Sequence, residues 1–169
     1  DTTVTTFATT ARGSDLPIIL GPAMHETMFR HRAVAENLEQ LAVFGVVVVP
    51  PRVEEGRAKI ADIETIVLHV ERAVDDGSLR GRRVLVTSGA CRETVDDVRV
   101  LTTRSSGRMG RALALEAYRR GAEVTVVHAD HFPCVRNVTV ETAQQMRDAV
   151  LSVGETEGID LYVSAAAVS

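Results

Sequence analysis

The sequence of 169 residues has no tryptophan, few aromatic side chains and only two cysteines. Cys91 and Cys134 are too few for a disulfide-stabilised scaffold and lack the spacing of a zinc site, so we predict free thiols in a reducing cytoplasm. The formal net charge of −4 shows no basic excess of the kind that binds nucleic acid. Neither a signal peptide nor an apolar run of membrane-spanning length is present, and we expect no membrane partner.

The stretch from Arg83 to Arg120 predicts a βαβ unit. Residues 84–87 and 124–127 are apolar and rich in β-branched side chains, which predicts two buried strands. A helix between them is predicted to end before Gly121. Its predicted apolar positions are Met109, Ala112, Leu113 and residues 115–117. Because a crossover helix joins parallel strands, we predict an α/β fold with a parallel sheet.

The connection between the first strand and this helix is long and charged, and it ends in Ser-Ser-Gly-Arg-Met-Gly. Such a loop in a compact unit is typically functional. The free N–H groups at the helix start favour an anion, which indicates a nucleotide phosphate. Arg92 and Arg99 either neutralise that phosphate or hold the loop through Glu93 and Asp96; the residue pattern leaves both roles open.

Two other classes of protein remain possible on these residues. A nicotinamide-dependent Rossmann oxidoreductase needs a glycine-rich turn directly after Val86 and an acidic residue at the end of the second strand. The turn is absent, and His128-Ala129-Asp130 supplies the acidic residue only loosely. A non-catalytic nucleotide- or flavin-binding domain is the third possibility. We predict no metal site at these histidines, because the usual ligand spacing is missing.

The flanking sequence predicts a second unit of alternating strands and helices. Before the βαβ stretch we predict strands at 17–20 and 46–49 and helices at 32–44 and 63–74, with Asp62 as N-cap of the last. A polar linker is predicted at 76–82, between domains at 1–75 and 83–169. Farther along, Thr142 and Gln145 have capping-box spacing for a helix that ends at Gly154, and residues 161–165 predict a last strand.

The motif T-S-G-A-C-R-E-T-V-D-D-V-R, followed by S-S-G-R-M-G, resembles the nucleotide-binding segment of the phosphopantothenoylcysteine synthetase family. Thr103 stands where that family usually has Asn, and Arg108 where it has Lys. The resemblance implies that CTP, accompanied by Mg²⁺, activates a carboxylate in this unit. The nucleotide-binding residues it implies are Gly89, Arg92, Glu93, Thr103, Ser105, Ser106, Gly107, Arg108, Met109, Gly110, Ala165, Ala166 and Ala167.

The upstream stretch P-A-M-H-E-T-M-F resembles P-x-M-N-x-x-M-W, the substrate-recognition motif of the flavin-dependent cysteine decarboxylases, with His25 for Asn and Phe29 for Trp. The resemblance implies FMN as cofactor and His25 as a catalytic residue. The substrate-binding residues it implies are Pro22, Met24, His25, Met28, Arg57 and Lys59. The alternative is structural: the two methionines are core residues at i and i+4, and P-P-R-V-E-E-G-R-A-K is a solvated lid.

Together the two motifs, in this order, resemble the junction of the bifunctional phosphopantothenoylcysteine decarboxylase and phosphopantothenate–cysteine ligase, in an archaeal-like form. The expected fold is the end of a flavodoxin-like domain followed by the start of a Rossmann-like synthetase domain. The expected function is coenzyme A biosynthesis from 4′-phosphopantothenate, cysteine and CTP by a cytoplasmic homo-oligomer. Because the chain starts without Met and stops after a predicted strand, we expect it to be a segment of a longer polypeptide.

Overall fold

The computed structural model describes residues 2–14 and 16–167, and the chain divides into two compact units, Asp1–Val74 and Asp75–Ser169. Asp1, Asp15, Val168 and Ser169, which the predicted domain limits include, lie outside the described residues. Each unit combines helices with parallel strand pairs, so the predicted α/β class is confirmed.

The described residues form six helices and eleven strands. The helices are α1 (Thr2–Gly13), α2 (Glu26–Phe29), α3 (Arg32–Val43), α4 (Ile63–Val74), α5 (Arg108–Arg119) and α6 (Ala143–Glu157). The strands are β1 (Ile19–Leu20), β2 (Met24–His25), β3 (Val47–Val48), β4 (Arg52–Glu54), β5 (Arg57–Lys59), β6 (Arg83–Ala90), β7 (Arg92–Thr94), β8 (Val100–Thr102), β9 (Glu123–His128), β10 (Arg136–Thr139) and β11 (Leu161–Ala167). None of the helices in the described ranges is both long enough and apolar enough to span a bilayer.

In the first unit, β1 and β3 pair in parallel, with α3 in the connection between them. The predicted strands and helix are therefore confirmed in type, although both strands are shorter than predicted. Helix α4 begins as predicted, because Asp62 Oδ1 accepts the N–H of Thr65 at 2.8 Å. That backbone hydrogen bond is the main reason why the pKa of Asp62 lies below its usual value. The N-cap prediction is confirmed.

A three-stranded antiparallel sheet of order β2-β5-β4 completes the first unit. From their polar composition, residues 50–61 are predicted to form a loop after the strand at 46–49. This prediction is wrong in its local structure, since most of the stretch forms the β4–β5 hairpin. Its turn contains Glu55 and Gly56, both with positive φ. Ala58 is buried in the middle of this sheet, which gives the short hairpin an apolar contact.

The second unit is a doubly wound sheet of order β10-β9-β6-β11, in which all strands are parallel. One face packs against α5, through residues that include Val86, Val126 and Ala114. The opposite face packs against α6, through residues that include Leu85 and Met146. Because both faces of the central strands are covered, residues 84–86 of β6 and three of the four residues 124–127 of β9 are apolar, as is typical of buried parallel strands.

Two details of the helices differ from the prediction. Met109, Ala112 and Leu113 are exposed, so the predicted apolar stripe of α5 is wrong at these positions. The buried positions of α5 are Gly110, Ala114, Leu115 and Ala117. Small residues let the helix lie close to the sheet, and the larger side chains of the first turns point away from it. Helix α6 continues past Gly154 to Glu157, and Gly158 is the C-cap.

Candidate functional site

In the second unit, the direction in which the chain adds strands to the sheet reverses between β6 and β11. The carboxyl ends of these two strands lie side by side. From β6 the chain moves outward through β9 to β10, and it returns by α6 to β11 on the other side of β6. Ligands of open α/β sheets bind at such a topological switch point. The register pairs Gly89 with Ala166 and Ala90 with Ala167, so two of the predicted nucleotide-binding segments lie next to each other here.

Helix α5 starts at this edge and approaches β6 unusually closely. Its N-cap, Gly107, has φ 67° and makes no side-chain cap hydrogen bond. The hydroxyl of Ser88 donates to the carbonyl oxygen of Gly107 at 3.1 Å. A Cβ added at Gly110 would lie 2.3 Å from Ser88 Oγ, and one at Gly107 would lie 3.3 Å from it. Glycine is therefore required at position 110 by space, and favoured at 107 by both backbone conformation and space.

The first turn of α5 has the chemistry of an anion site. The N–H groups of the first turn have no partner in the helix, and no side chain caps them at Gly107. Together with the helix dipole they favour a phosphate group. Ser106, Arg108 and Met109 are exposed and Ser105 is half-buried, so the segment can present a hydroxyl and a cation to a ligand.

Sequence reasoning missed Ser88, which holds the Gly107 carbonyl in place. The signal was present in the spacing of Gly107 and Gly110, because two glycines in a first helical turn indicate close approach of another backbone. What the spacing did not show is which residue approaches. Ser88 is 1% exposed and lies at the end of the central strand, where its side chain points toward α5.

The predicted charged loop is wrong in part, because it contains an antiparallel hairpin of β7 and β8. Arg99 Nε donates to Asp96 Oδ2 at 2.7 Å, and this bond lowers the pKa of Asp96. Of the two roles left open, Arg99 therefore holds the hairpin tip. Arg92 is exposed. Glu93 Oε1 accepts the N–H of Ala143 at 2.7 Å, which ties the hairpin to the start of α6.

Thr103 follows the hairpin and leads toward the start of α5. Thr103 as a whole is half-buried, but its hydroxyl oxygen is fully buried and has no hydrogen-bond partner among the described residues. A buried hydroxyl without a partner costs free energy, since it has lost its bonds to water. Thr103 therefore fits a position at which a ligand supplies the missing bond.

His128, at the end of β9, is a structural residue. It is 1% exposed, its Nε2 lies 2.7 Å from Asn137 Oδ1, and its Nδ1 accepts the N–H of Asp130 at 3.1 Å. These partners require the neutral ring with the proton on Nε2. Burial lowers the pKa of His128, which keeps the ring neutral. Strand β9 thus ends in a neutral, hydrogen-bonded histidine and not in the carboxylate that binds the ribose of a dinucleotide.

A concavity with a volume of about 540 Å³ lies on the α6 face of the second unit. Its lining is mostly apolar and includes Met146, Val150 and Tyr162. It contains none of the predicted nucleotide-binding residues. We therefore place the candidate site at the start of α5, where the polar chemistry is, and not in this concavity.

In the first unit, the fold brings together two predicted substrate-binding residues that are far apart in sequence. His25 of β2 pairs directly with Arg57 of β5. Both are exposed, and Arg57 forms no ion pair with any described residue. Lys59, by contrast, lies 3.2 Å from Glu54 and 3.3 Å from Glu55. Arg57 is therefore the better placed of the two cations to meet an acidic substrate group.

The two methionines of the P-A-M-H-E-T-M-F stretch do not form a core pair. Met24 is half-buried in β2, whereas Met28 is 56% exposed. Pro22 is buried and fixes the entry into the stretch. His25 is the N-cap of α2 but makes no side-chain cap hydrogen bond. Its imidazole is thus free of the local role that an N-cap side chain usually has.

Two family models match the chain. Residues 79–169 match the DNA/pantothenate metabolism flavoprotein C-terminal domain, and residues 1–75 match the family described as Flavoprotein. Among similar proteins, the coenzyme A biosynthesis bifunctional protein CoaBC of Thermococcus kodakarensis is 49% identical over 172 residues, covering 100% of this chain and 42% of the relative. The CoaBC protein of Vibrio vulnificus is 33% identical, covering 96% of this chain and 43% of the relative.

Part of the chain is also similar in fold to a solved structure. The crystal structure of the C-terminal domain of a coenzyme A biosynthesis bifunctional protein CoaBC is 41% identical, with a TM-score of 0.51, covering 55% of this chain and 48% of that chain. The chain thus spans about two fifths of the length of the curated relatives it matches.

Proposed function

The chain belongs to the family of the DNA/pantothenate metabolism flavoprotein C-terminal domain, and on this premise we propose that its full-length protein catalyses two reactions of coenzyme A biosynthesis. One is the CTP-dependent ligation of 4′-phosphopantothenate to cysteine, through an acyl-cytidylate. The other is the decarboxylation of 4′-phosphopantothenoylcysteine to 4′-phosphopantetheine. Similarity to bifunctional CoaBC proteins along the whole chain supports this proposal.

The observation that carries the ligase proposal is the uncapped start of α5 at the switch point of the sheet. We propose that the triphosphate of CTP binds there, against the first-turn N–H groups that follow Gly107. Ser105, Ser106 and Arg108 would contact phosphate oxygens, and Mg²⁺ would accompany the triphosphate because of its charge. Gly89 and residues 165–167 would line the neighbouring crevice. Thr103 would give its buried hydroxyl to the nucleotide or to the acyl intermediate.

Ligand-dependent thermal stability tests the ligase proposal against its alternatives. A ligand raises the melting temperature of the state that it binds. We expect CTP with Mg²⁺ to stabilise the full-length protein, and NAD⁺ to leave it unchanged. Stabilisation by NAD⁺ alone would instead support a Rossmann oxidoreductase. The neutral, fully bonded His128 at the end of β9 argues against that alternative, since an acidic residue is expected there.

We propose that the first unit contributes the substrate side of an FMN-dependent decarboxylase. FMN rests on the match of residues 1–75 to the Flavoprotein family, and we assign no described residue to it. His25 and Arg57, opposite each other on β2 and β5, would contact the acyl-cysteine and acidic groups of the substrate. Pro22, Met24, Met28 and Lys59 would complete that surface.

Substitution of His25 tests the decarboxylase proposal. In the full-length protein, His25→Ala should leave FMN bound and the ligase active, and it should sharply reduce the release of carbon dioxide, because polar substrate groups lose their partner. His25→Asn should retain more activity than His25→Ala. Carbon dioxide release and FMN absorbance are followed in the same samples. Normal decarboxylation by His25→Ala would show that His25 is a loop residue, and loss of FMN would show that it supports the flavin site or the fold.

The domain limits are also proposed, with a decarboxylase part at 1–75, a linker at 76–82 and a synthetase part at 83–169. The limits of the family matches and the division of the chain after Val74 support this arrangement. We further propose a cytoplasmic homo-oligomer. Cys91 and Cys134 do not form disulfides, which suits a reducing compartment.

A further inference from the structure

The contacts of Glu93 indicate a role other than direct binding of the nucleotide. It lies in the middle of β7, opposite Leu101 of β8, and its side chain is half-buried. Its Oε1 accepts the N–H of Ala143 at 2.7 Å, from a residue 50 positions later in the chain. Ala143 is the first residue of α6, so the carboxylate satisfies one of the N–H groups that the helix itself leaves unpaired.

The two residues that precede Glu93 also contact the start of α6 or the residue just before it. The N–H of Arg92 donates to the carbonyl oxygen of Glu141 at 2.7 Å. Cys91 is 1% exposed and belongs to the same buried cluster as Met146 of α6. Three consecutive residues at the base of the hairpin are thus held against the start of α6 by a backbone bond, a charge-assisted bond and apolar packing.

This attachment determines where the other strand of the hairpin leads. Thr102, in β8, donates its hydroxyl to the carbonyl oxygen of Cys91 at 2.8 Å. The next residue is Thr103, and residues 104–106 then lead to Gly107 at the start of α5. The base of the hairpin therefore anchors the chain just before the proposed phosphate-binding turn.

We propose that Glu93 is a positioning residue of the nucleotide site. It acts by fixing the β7–β8 hairpin to the start of α6 and does not itself contact the nucleotide or its metal ion. This inference rests on the proposed function for its effect on CTP binding. The attachment of the hairpin to α6 is itself a property of the fold. This attachment and its effect on CTP affinity can each be wrong without the other, and they are measured separately.

The experiment compares Glu93→Ala, Glu93→Gln and the control Glu141→Ala in the full-length protein. Glu141 lies beside the same helix start and carries the same charge, but its side chain is exposed. Glu93→Ala should raise the dissociation constant of CTP by about tenfold, the loss expected when a charge-assisted hydrogen bond is only partly coupled to binding. Glu93→Gln keeps an acceptor oxygen for Ala143, so its affinity and its Mg²⁺ dependence should stay within about twofold of the original values.

Amide hydrogen exchange measures how firmly the hairpin is attached to α6. In Glu93→Ala the amide of Ala143 and the amides of β7 and β8 should lose protection, whereas Glu93→Gln and Glu141→Ala should retain it. If Glu93→Gln loses CTP affinity as strongly as Glu93→Ala, the negative charge acts directly and the positioning role is wrong. Unchanged exchange and affinity in Glu93→Ala would also overturn it.

The experiment still gives an answer in two other cases. If the unsubstituted protein does not bind CTP, the proposed function is wrong, and the exchange of the Ala143 amide still shows whether Glu93 attaches the hairpin to α6. If Glu93→Ala does not fold, the comparison of Glu93→Gln with Glu141→Ala decides between an acceptor role and a charge role.

Discussion

Helices α5 and α6 both begin at the carboxyl edge of the same parallel sheet, yet their first turns differ. At α6, Thr142 accepts the N–H of Gln145, the Gln145 side chain accepts the N–H of Thr142, and Glu93 accepts the N–H of Ala143. At α5 the N-cap is Gly107, and no side chain caps the turn. One helix start is thus closed by the protein itself, and the other is open, at the place where we propose that the nucleotide binds.

The difference separates stability from function within one unit. A side-chain cap stabilises a helix start by about 1 kcal/mol relative to alanine but by only about 0.3 kcal/mol relative to glycine, so the uncapped Gly107 gives up little stability. The uncapped turn retains N–H groups and a positive dipole end that an anion can use. The residues that close α6 should therefore matter for folding, and those at α5 for both close packing and binding.

The largest expected effect comes from filling the contact between α5 and β6. In Gly110→Ala the new Cβ would lie 2.3 Å from Ser88 Oγ and 2.5 Å from Ser88 Cβ. Overpacking of this kind should reduce the free energy of unfolding by about 3 kcal/mol. Urea denaturation of the full-length protein measures it. Gly154→Ala in α6 is the control, because no atom lies within 4 Å of its added Cβ; equal losses for both variants would mean that the close contact is unimportant.

The next effect tests the uncapped turn itself. Gly107→Val forces a β-branched side chain into a left-handed backbone and places it beside the first-turn N–H groups. CTP affinity, measured by calorimetry, should fall by more than about tenfold, or 1.4 kcal/mol. Gly154→Ala should bind CTP normally. Unchanged affinity of Gly107→Val would place the phosphates elsewhere.

The capped helix start should respond in the opposite way. Thr142→Ala removes the acceptor for the Gln145 N–H, so we expect a loss of about 1 kcal/mol in the free energy of unfolding. CTP affinity should remain within about twofold, since this turn is closed to the ligand. Thr156→Ala, at an exposed position late in α6, is the control for the loss of a threonine. A large drop in CTP affinity for Thr142→Ala would break the distinction between the two helix starts.

The smallest effect concerns a charged cap in the first unit. The pKa of Asp62 is lowered in the folded state by the Thr65 N–H, so its contribution is present above the unfolded pKa of about 3.9 and is lost as pH falls through the folded pKa. Asp62→Asn keeps a capping acceptor. We expect it to match the original protein within about 0.5 kcal/mol at pH 7 and to lose less stability toward pH 2. Identical acid sensitivity of the two proteins would contradict this.

Several elements were predictable because their signals lie within a few residues. The cap at Asp62 and the capping box of Thr142 and Gln145 each join residues three positions apart, and both are confirmed. The end of α6 at Gly154 is wrong for the opposite reason. A glycine inside a helix costs about 1 kcal/mol, and tertiary packing around the neighbouring buried Val153 outweighs that cost.

The candidate site divides in the same way. From the sequence alone came the order of strands and helices, the glycines of the α5 start and the two motifs that place the chain near its relatives, because helix periodicity, capping and backbone conformation are local properties. Only the tertiary structure shows Ser88 against Gly110, Glu93 at the start of α6 and His25 opposite Arg57. These partners are distant in the chain, and their contacts depend on how sheets and helices pack, which no local pattern encodes.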